Sequence, residues 1–316
     1  MALLDISKWL VVAWAGVGTM LLVGCGHTEV VSIDGSSTVF LLSAAAAEQF
    51  REHSPEINVV VGQSGTGGGF KKFAAGEIDV CNASRAIKPA EAEACRAAGV
   101  EFIEIPIAYD GLAVVASRQN DWCDVLTVEQ LRSIWRRESQ GAIMSWRDVD
   151  ADWPREPLKL YGPGADSGTF DYFTEVINGI EGVCRQDYSP SENDNALVTG
   201  VAGDRGALGY FGYGYYAENK DKLKLLAVDG GEGPVLPDPE TVRSGKYQPL
   251  ARPLFIYVNT AALGRSDVSK FLEFYLEHAA ALAPQVGYVA LPDDLARQGR
   301  ESLAEALSRR RAEDAR

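Results

Sequence analysis

From residue 30 onward, short apolar runs alternate with longer stretches in which apolar residues recur every three or four positions, the pattern of strands packed between helices. VVSID (30–34) reads as a strand. It runs through Gly35-Ser36-Ser37-Thr38 into VFLLSAAAAEQFREH, where Val39, Leu42, Ala46 and Phe50 form one stripe and the alanines favour helix. INVVVGQ (57–63) is a second strand, followed by Ser64-Gly65-Thr66-Gly67-Gly68-Gly69 and the helical FKKFAAGEIDV. LKLYGP (158–163) is a third, followed by Gly164-Ala165-Asp166-Ser167-Gly168-Thr169 and the amphipathic FDYFTEVIN (170–178). Further strands are expected at 111–117 and 252–259, an aromatic-rich strand and helix within ALGYFGYGYYAEN, and a helix at 266–283. The fold class this predicts is α/β.

The same device thus occurs three times: a strand, a turn of small residues, then a helix start. A helix N-terminus presents unpaired amides and about half a positive charge. Glycine lets the backbone approach an oxyanion closely, and Ser or Thr hydroxyls add donors that rotate to suit it. One such turn is weak evidence, because Ser and Thr cap helices generally, and Ser36 or Ser37 suits that structural role here. Three in one chain point to a small tetrahedral anion.

Charge narrows the field. Among 316 residues, 30 Lys and Arg oppose 44 Asp and Glu, a formal charge of −14. This argues against nucleic acid or an anionic membrane surface as partner, so any anionic ligand must be held by local dipoles. Of the nucleotide motifs, no Gly-Lys-Ser/Thr follows Gly65, and GTGGGF is not GxGxxG. Ser167 lies in D-S-G-T rather than GxSxG, with no histidine placed to activate it. The three histidines form no ligand-spaced cluster, and no cofactor or metal is expected.

The N-terminus reads as an address. Residues 1–24 fit a signal peptide, with an apolar run from Trp9 to Val23 that is short for a membrane span. Its Leu-x-Gly-Cys ending resembles the lipobox of bacterial lipoproteins, which makes Cys25 the lipidation site and 25–30 a tether. Export leaves Cys81, Cys95, Cys123 and Cys184, an even number in an oxidising compartment. Two disulfides are expected, Cys81–Cys95 for its short closure and Cys123–Cys184 by elimination; four buried thiols are the alternative.

GSSTVF (35–40), SGTGGGF (64–70), CNASRAI (81–87), YDGLAVV (109–115), YGPGADSGTFDYF (161–173) and ALGYFGYGYY (207–216) occur in this order. Together they resemble the phosphate-binding subunit of bacterial phosphate ABC importers, in the branch carrying S-R-x-I, across about residues 31–295. The resemblance implies a class II periplasmic binding protein, with two α/β lobes joined by two crossing strands and closing on inorganic phosphate. Lobe I is expected at 31–114 and 255–300, lobe II at 115–254 and a charged tail at 301–316. It further implies a monomer at the cell envelope, in the periplasm or on the cell surface, membrane-attached only through a lipid and serving the permease subunits of an importer.

By the same resemblance Ser37, Thr38 with the Val39 amide, Ser64, and Ser167, Gly168 and Thr169 donate to the ion, with Thr66 as substitute for Ser64. Two departures stand out. Many relatives carry Asp where Arg85 stands, and Arg shortly before S-G-T, where this chain has Gly162, Pro163 and Gly164. Arg85 is accordingly expected to supply the guanidinium. A carboxylate, Asp110 or Asp166, is expected to accept the proton that phosphate carries and sulfate lacks; Asp166 as a mere cap, or Asp110 as a mere partner of Arg85, is the structural alternative. Other tetrahedral oxyanions (sulfate, molybdate, arsenate), a serine-dependent phosphatase or hydrolase using Ser167, and a phosphate-sensing protein remain as alternatives.

Overall fold

The computed structural model describes residues 30–165, 167–191 and 193–314. The signal peptide, Cys25 and Asp166 lie outside the described residues.

Its first third is β1 (Val30–Gly35), α1 (Ser37–His53), β2 (Asn58–Val61), α2 (Thr66–Ala74), β3 (Val80–Ala83) and α3 (Pro89–Ala97). β1 pairs in parallel with both β2 and β3, as expected when a helix carries the chain from each strand to the next. β4 (Phe102–Ser117) is sixteen residues long, and the returning strand Ala251–Asn259 lies antiparallel to its first ten residues. Beyond Gly111 the partner changes: Leu112–Ala116 pair with Ala207–Gly212, which continues in parallel to Lys159–Pro163 and from there to Ser189–Ser191. Among the described residues one ten-stranded sheet, eight strands in a continuous hydrogen-bonded path and two more attached to β4, therefore links two sheet halves through β4.

The apolar cores change over at the same place. Ala108 and Leu254 belong to a cluster built with α1 and the helix Ser266–Leu282, whereas Leu112 and Ala251 belong to one built around Trp135, Trp146, Phe173 and Tyr210. Each sheet half is covered on its other face by a smaller cluster. This is the two-lobed class II binding-protein architecture, with helices on both faces of each sheet.

Three expectations differ in detail. FDYFTEVIN is an α-helix only over Gly168–Phe173 and then widens to a π turn, Thr174–Asn178. Thr174 Oγ1 donates back to the Phe170 and Asp171 carbonyls at 2.8 and 3.0 Å, offering the backbone an alternative to the regular ladder. The charged C-terminal stretch is the second half of a helix, Asp293–Asp314, that buries Leu303, Ala306 and Leu307 in the first core.

The third difference is a correction. Cys81, Cys95, Cys123 and Cys184 are all buried free thiols, so neither Cys81–Cys95 nor Cys123–Cys184 is bridged. Cys81 and Cys95 pack with Phe70 and Phe73 as small hydrophobes. The thiols of Cys81, Cys123 and Cys184 turn to backbone carbonyls of Asn82, Val125 and Arg185 at 3.6, 3.5 and 3.0 Å. Burial raises every one of these thiols, Cys123 to about 12 and Cys184 to about 11, which keeps them protonated and inert.

Candidate functional site

The loop from β1 to α1 and the loop from β2 to α2 are held by one carboxylate. Asp34 Oδ1 accepts from the amides of Gly35 and Ser64 at 2.6 and 2.9 Å, while Oδ2 pairs with Lys72. Partial burial opposes its ionisation, but Lys72 and the Ser64 and Gly35 donors prevail and hold it below the ordinary carboxylate value. α2 can approach because Gly69 has no side chain: a Cβ there would lie 2.5 Å from the Gly35 Cα and 2.9 Å from the Cys81 Sγ. The start of α1 is pinned as well. The Ser36 amide donates to the Asn82 carbonyl at 2.9 Å, and the Tyr288 hydroxyl donates to the Thr38 carbonyl at 2.6 Å.

These starts face a cleft of about 810 Å³. Ser37, Thr38, Ser64, Thr66, Gly67 and Gly68 form part of its wall, and Gly168 closes on it from the other lobe. The approach is tight: a Cβ on Gly168 would lie 2.5 Å from both the Thr38 amide nitrogen and its Oγ1. The first amides of a helix have no acceptor within it, so the starts of α1, α2 and the helix at Gly168 bring donors and positive dipole ends to one place.

Not every expected residue contributes in the expected way. Ser167 caps its helix, its Oγ accepting from the Thr169 amide at 3.2 Å, and among the described residues of this turn Gly168 is the one that lines the cleft. Val39 is buried behind the wall, and its amide donates to Ser36 Oγ at 3.4 Å. Thr66 Oγ1 shares a hydrogen bond with Ser84 Oγ at 3.1 Å.

Arg85 lines the cleft, but both its terminal nitrogens are committed to Glu91 at 2.8 Å each. The Glu91 hydrogen bond raises the Arg85 pKa further. Glu91 also accepts from the Lys88 amide at the start of α3, so this pair ties a loop to a helix. Asp110 does not meet Arg85. It is fully buried beneath the cleft and pairs with Arg252 across the two crossing strands, where the two residues are register partners.

Arg252 is the residue that sequence reasoning missed. Its Nε donates to Asp110 Oδ2 at 3.3 Å, its Nη2 donates to Thr38 Oγ1 at 2.9 Å, and its guanidinium carbon stands 3.6 Å from the centroid of the Tyr172 ring. Tyr172 is fixed in turn by donating its hydroxyl to the Pro249 carbonyl at 2.6 Å. Burial pushes the Asp110 carboxyl up while Arg252 pulls it down, and Asp110 Oδ1 has no hydrogen-bond partner among the described residues. A signal existed in the sequence: Asp110 interrupts an apolar strand whose burial demands a counter-charge, and Arg252 is the cation in the apolar run ARPLFIYVN.

The arrangement has the chemistry to hold an oxyanion. Three helix starts provide amides and hydroxyls, and a partly buried, oriented guanidinium provides charge. Among the described residues no group of three or more His, Cys, Asp or Glu is placed to hold a metal ion.

Comparison with known proteins agrees with this geometry. A family model described as a PBP superfamily domain matches residues 25–278. Protein SphX of Synechococcus elongatus is 50% identical over 263 residues, covering 83% of this chain and 77% of that protein. The phosphate-binding protein PstS of Staphylococcus aureus is 35% identical over 303 residues, covering 91% and 89%. Among solved structures, one described as a possible phosphate binding protein from Planctomyces limnophilus superposes with a TM-score of 0.84 at 46% identity, covering 88% of this chain and 99% of that one. Fold, cleft and relatives agree: the chain belongs to the PBP superfamily and, within it, to the phosphate-binding proteins.

Proposed function

We propose that this protein captures inorganic phosphate at the cell envelope and delivers it to the permease subunits of an ABC-type importer, without enzymatic turnover. The observation that carries this reading is the convergence of Thr38, Ser64 and Gly168, from three helix starts, with Arg252 on one cleft. The names of its relatives, among them the phosphate-binding protein PstS, support the choice of ligand. In this reading the amides of Ser37 and Thr38, the Ser64 turn, and the Ser167-Gly168-Thr169 turn hold the phosphate oxygens. Arg252 takes the charge-bearing role. Arg85, bound to Glu91, braces the wall.

Asp110 serves the site from below by orienting Arg252, and its unpartnered Oδ1 is the acceptor available for the phosphate proton. The ligand sits between the lobes, so binding favours the closed form. Residues 1–24 act as a signal peptide and Cys25 as the lipid attachment point, with the rest monomeric. In the same reading the chain crosses between lobes along β4 and the returning strand, with lobe I at 31–114 and 255–300 and lobe II at 115–254.

Isothermal titration with phosphate and sulfate tests the reading. Phosphate is expected to bind at about micromolar or tighter, near −8 kcal/mol, and sulfate far more weakly. Equal affinities, or no heat with either ion, overturn it.

A further inference from the structure

The second lobe brings carboxylates to the same cleft. Asp171 lies three residues after Gly168, hence one turn further along the same helix face, and Glu175 follows four residues later. Both line the cleft, as does Glu181. Among the described residues none of the three has a salt-bridge partner; the nearby guanidiniums of Arg85 and Arg252 are held by Glu91 and Asp110. Asp171 thus faces Glu175 and Tyr172 on its own helix and its π extension, Glu181 beyond them, Arg252 on the returning strand, and Arg85 and Lys88 on the opposite wall. Burial, then Glu181, and more weakly Glu175 push Asp171 up against the pull of Arg252, to about 6. An anion seated at Gly168 and Arg252 adds another negative charge one helical turn away, and like charges at that range favour the neutral acid.

We propose that phosphate capture is coupled to uptake of a proton by the Asp171 carboxylate, which makes Asp171 a second determinant of affinity beside the ion-holding groups. This inference rests on the phosphate reading above. The step is a simple protonation, in which the carboxylate takes a proton from solvent and the cleft admits the anion without leaving an unpaired carboxylate charge beside it. Linkage is reciprocal: the factor by which phosphate raises the proton affinity of Asp171 is the factor by which the proton raises phosphate affinity. Ionised in the free protein near pH 8, Asp171 is neutral in the complex. Affinity accordingly rises as the pH falls from about 8 toward 6, by up to about tenfold per unit beyond the change due to titration of phosphate itself.

The test is calorimetric titration of the full chain with inorganic phosphate at about pH 8, in two buffers of different ionisation enthalpy, which counts protons. Wild type is expected to take up nearly one proton. Asp171→Asn is expected to abolish that uptake and bind phosphate more tightly than wild type at this pH, and Glu175→Gln to retain most of it. Uptake that persists in Asp171→Asn places the proton on the phosphate or on another carboxyl and overturns the proposal. Phosphate binding without uptake in wild type overturns the coupling alone, whereas no binding of phosphate overturns the functional reading with it.

Discussion

Replacing Arg252 by Met removes the guanidinium while keeping much of the apolar stem, and two separable losses follow. The first concerns affinity. A hydrogen bond to a charged partner contributes about 1.5–3 kcal/mol, so losing the Arg252 donor to phosphate is expected to weaken binding ~10- to 100-fold. The second concerns stability. Asp110 is 0% exposed and Arg252 only 13% at its side chain, so the variant strands a fully buried carboxylate. Breaking a buried pair from one side costs about 3–5 kcal/mol.

That cost depends on pH in a defined direction. The Asp110 carboxyl is already raised by burial despite Arg252, and deleting the cation raises it further. A carboxyl raised in the folded state favours folding in acid, and this contribution is lost as the pH climbs through the folded value. Urea denaturation should therefore show a deficit that is large near pH 8 and shrinks toward pH 5. Adding Asp110→Asn to the variant should restore most of the stability and none of the phosphate affinity. A deficit equal at both pH values, or unchanged phosphate binding, refutes the assignment of Arg252 as ligand-facing cation and of Asp110 as its buried support.

Other perturbations separate the remaining parts of the site. Gly168→Ala places a Cβ 2.5 Å from Thr38 and obstructs closure; at about 1–3 kcal/mol, charged to the closed form, titration calorimetry should show ~5- to 150-fold weaker phosphate binding. Asp34→Asn loosens the Ser64 turn and frees Lys72, with an expected loss of about 1–3 kcal/mol in urea melts. Because the Asp34 carboxyl is held low in the fold, its contribution is present above the unfolded carboxylate value and disappears as acid titrates the folded group, so the variant's deficit should fade below about pH 4. Thiol titration should find Cys81, Cys95, Cys123 and Cys184 silent in the native protein and reactive on denaturation without reductant. Reductant should leave the melting temperature unchanged, where a disulfide would be worth about 2–4 kcal/mol.

The helix-start turns were legible because their chemistry is local: Gly35-Ser36-Ser37-Thr38 and Ser64-Gly65-Thr66 announce donors within a few residues of the strand they follow. The guanidinium was not legible in the same way. Arg252 and Asp110 are 142 positions apart and meet only through the antiparallel register of the crossing strands. The Glu91 partner of Arg85 was hidden for the opposite reason: it is close in sequence but becomes a partner only when α3 forms. Cysteine parity suggested bridges, yet a buried thiol satisfied by packing and a nearby carbonyl gives the same count.

β4 belongs to both sheet halves at once, pairing with the returning strand below Gly111 and with Ala207–Gly212 above it. Neither half could be expressed as a free-standing fragment without exposing a raw sheet margin where its neighbour had been. The shared strand also ties the fates of the two bodies together: melting one strips the ladder from the other, so heat or denaturant should take the molecule apart in one cooperative event rather than lobe by lobe.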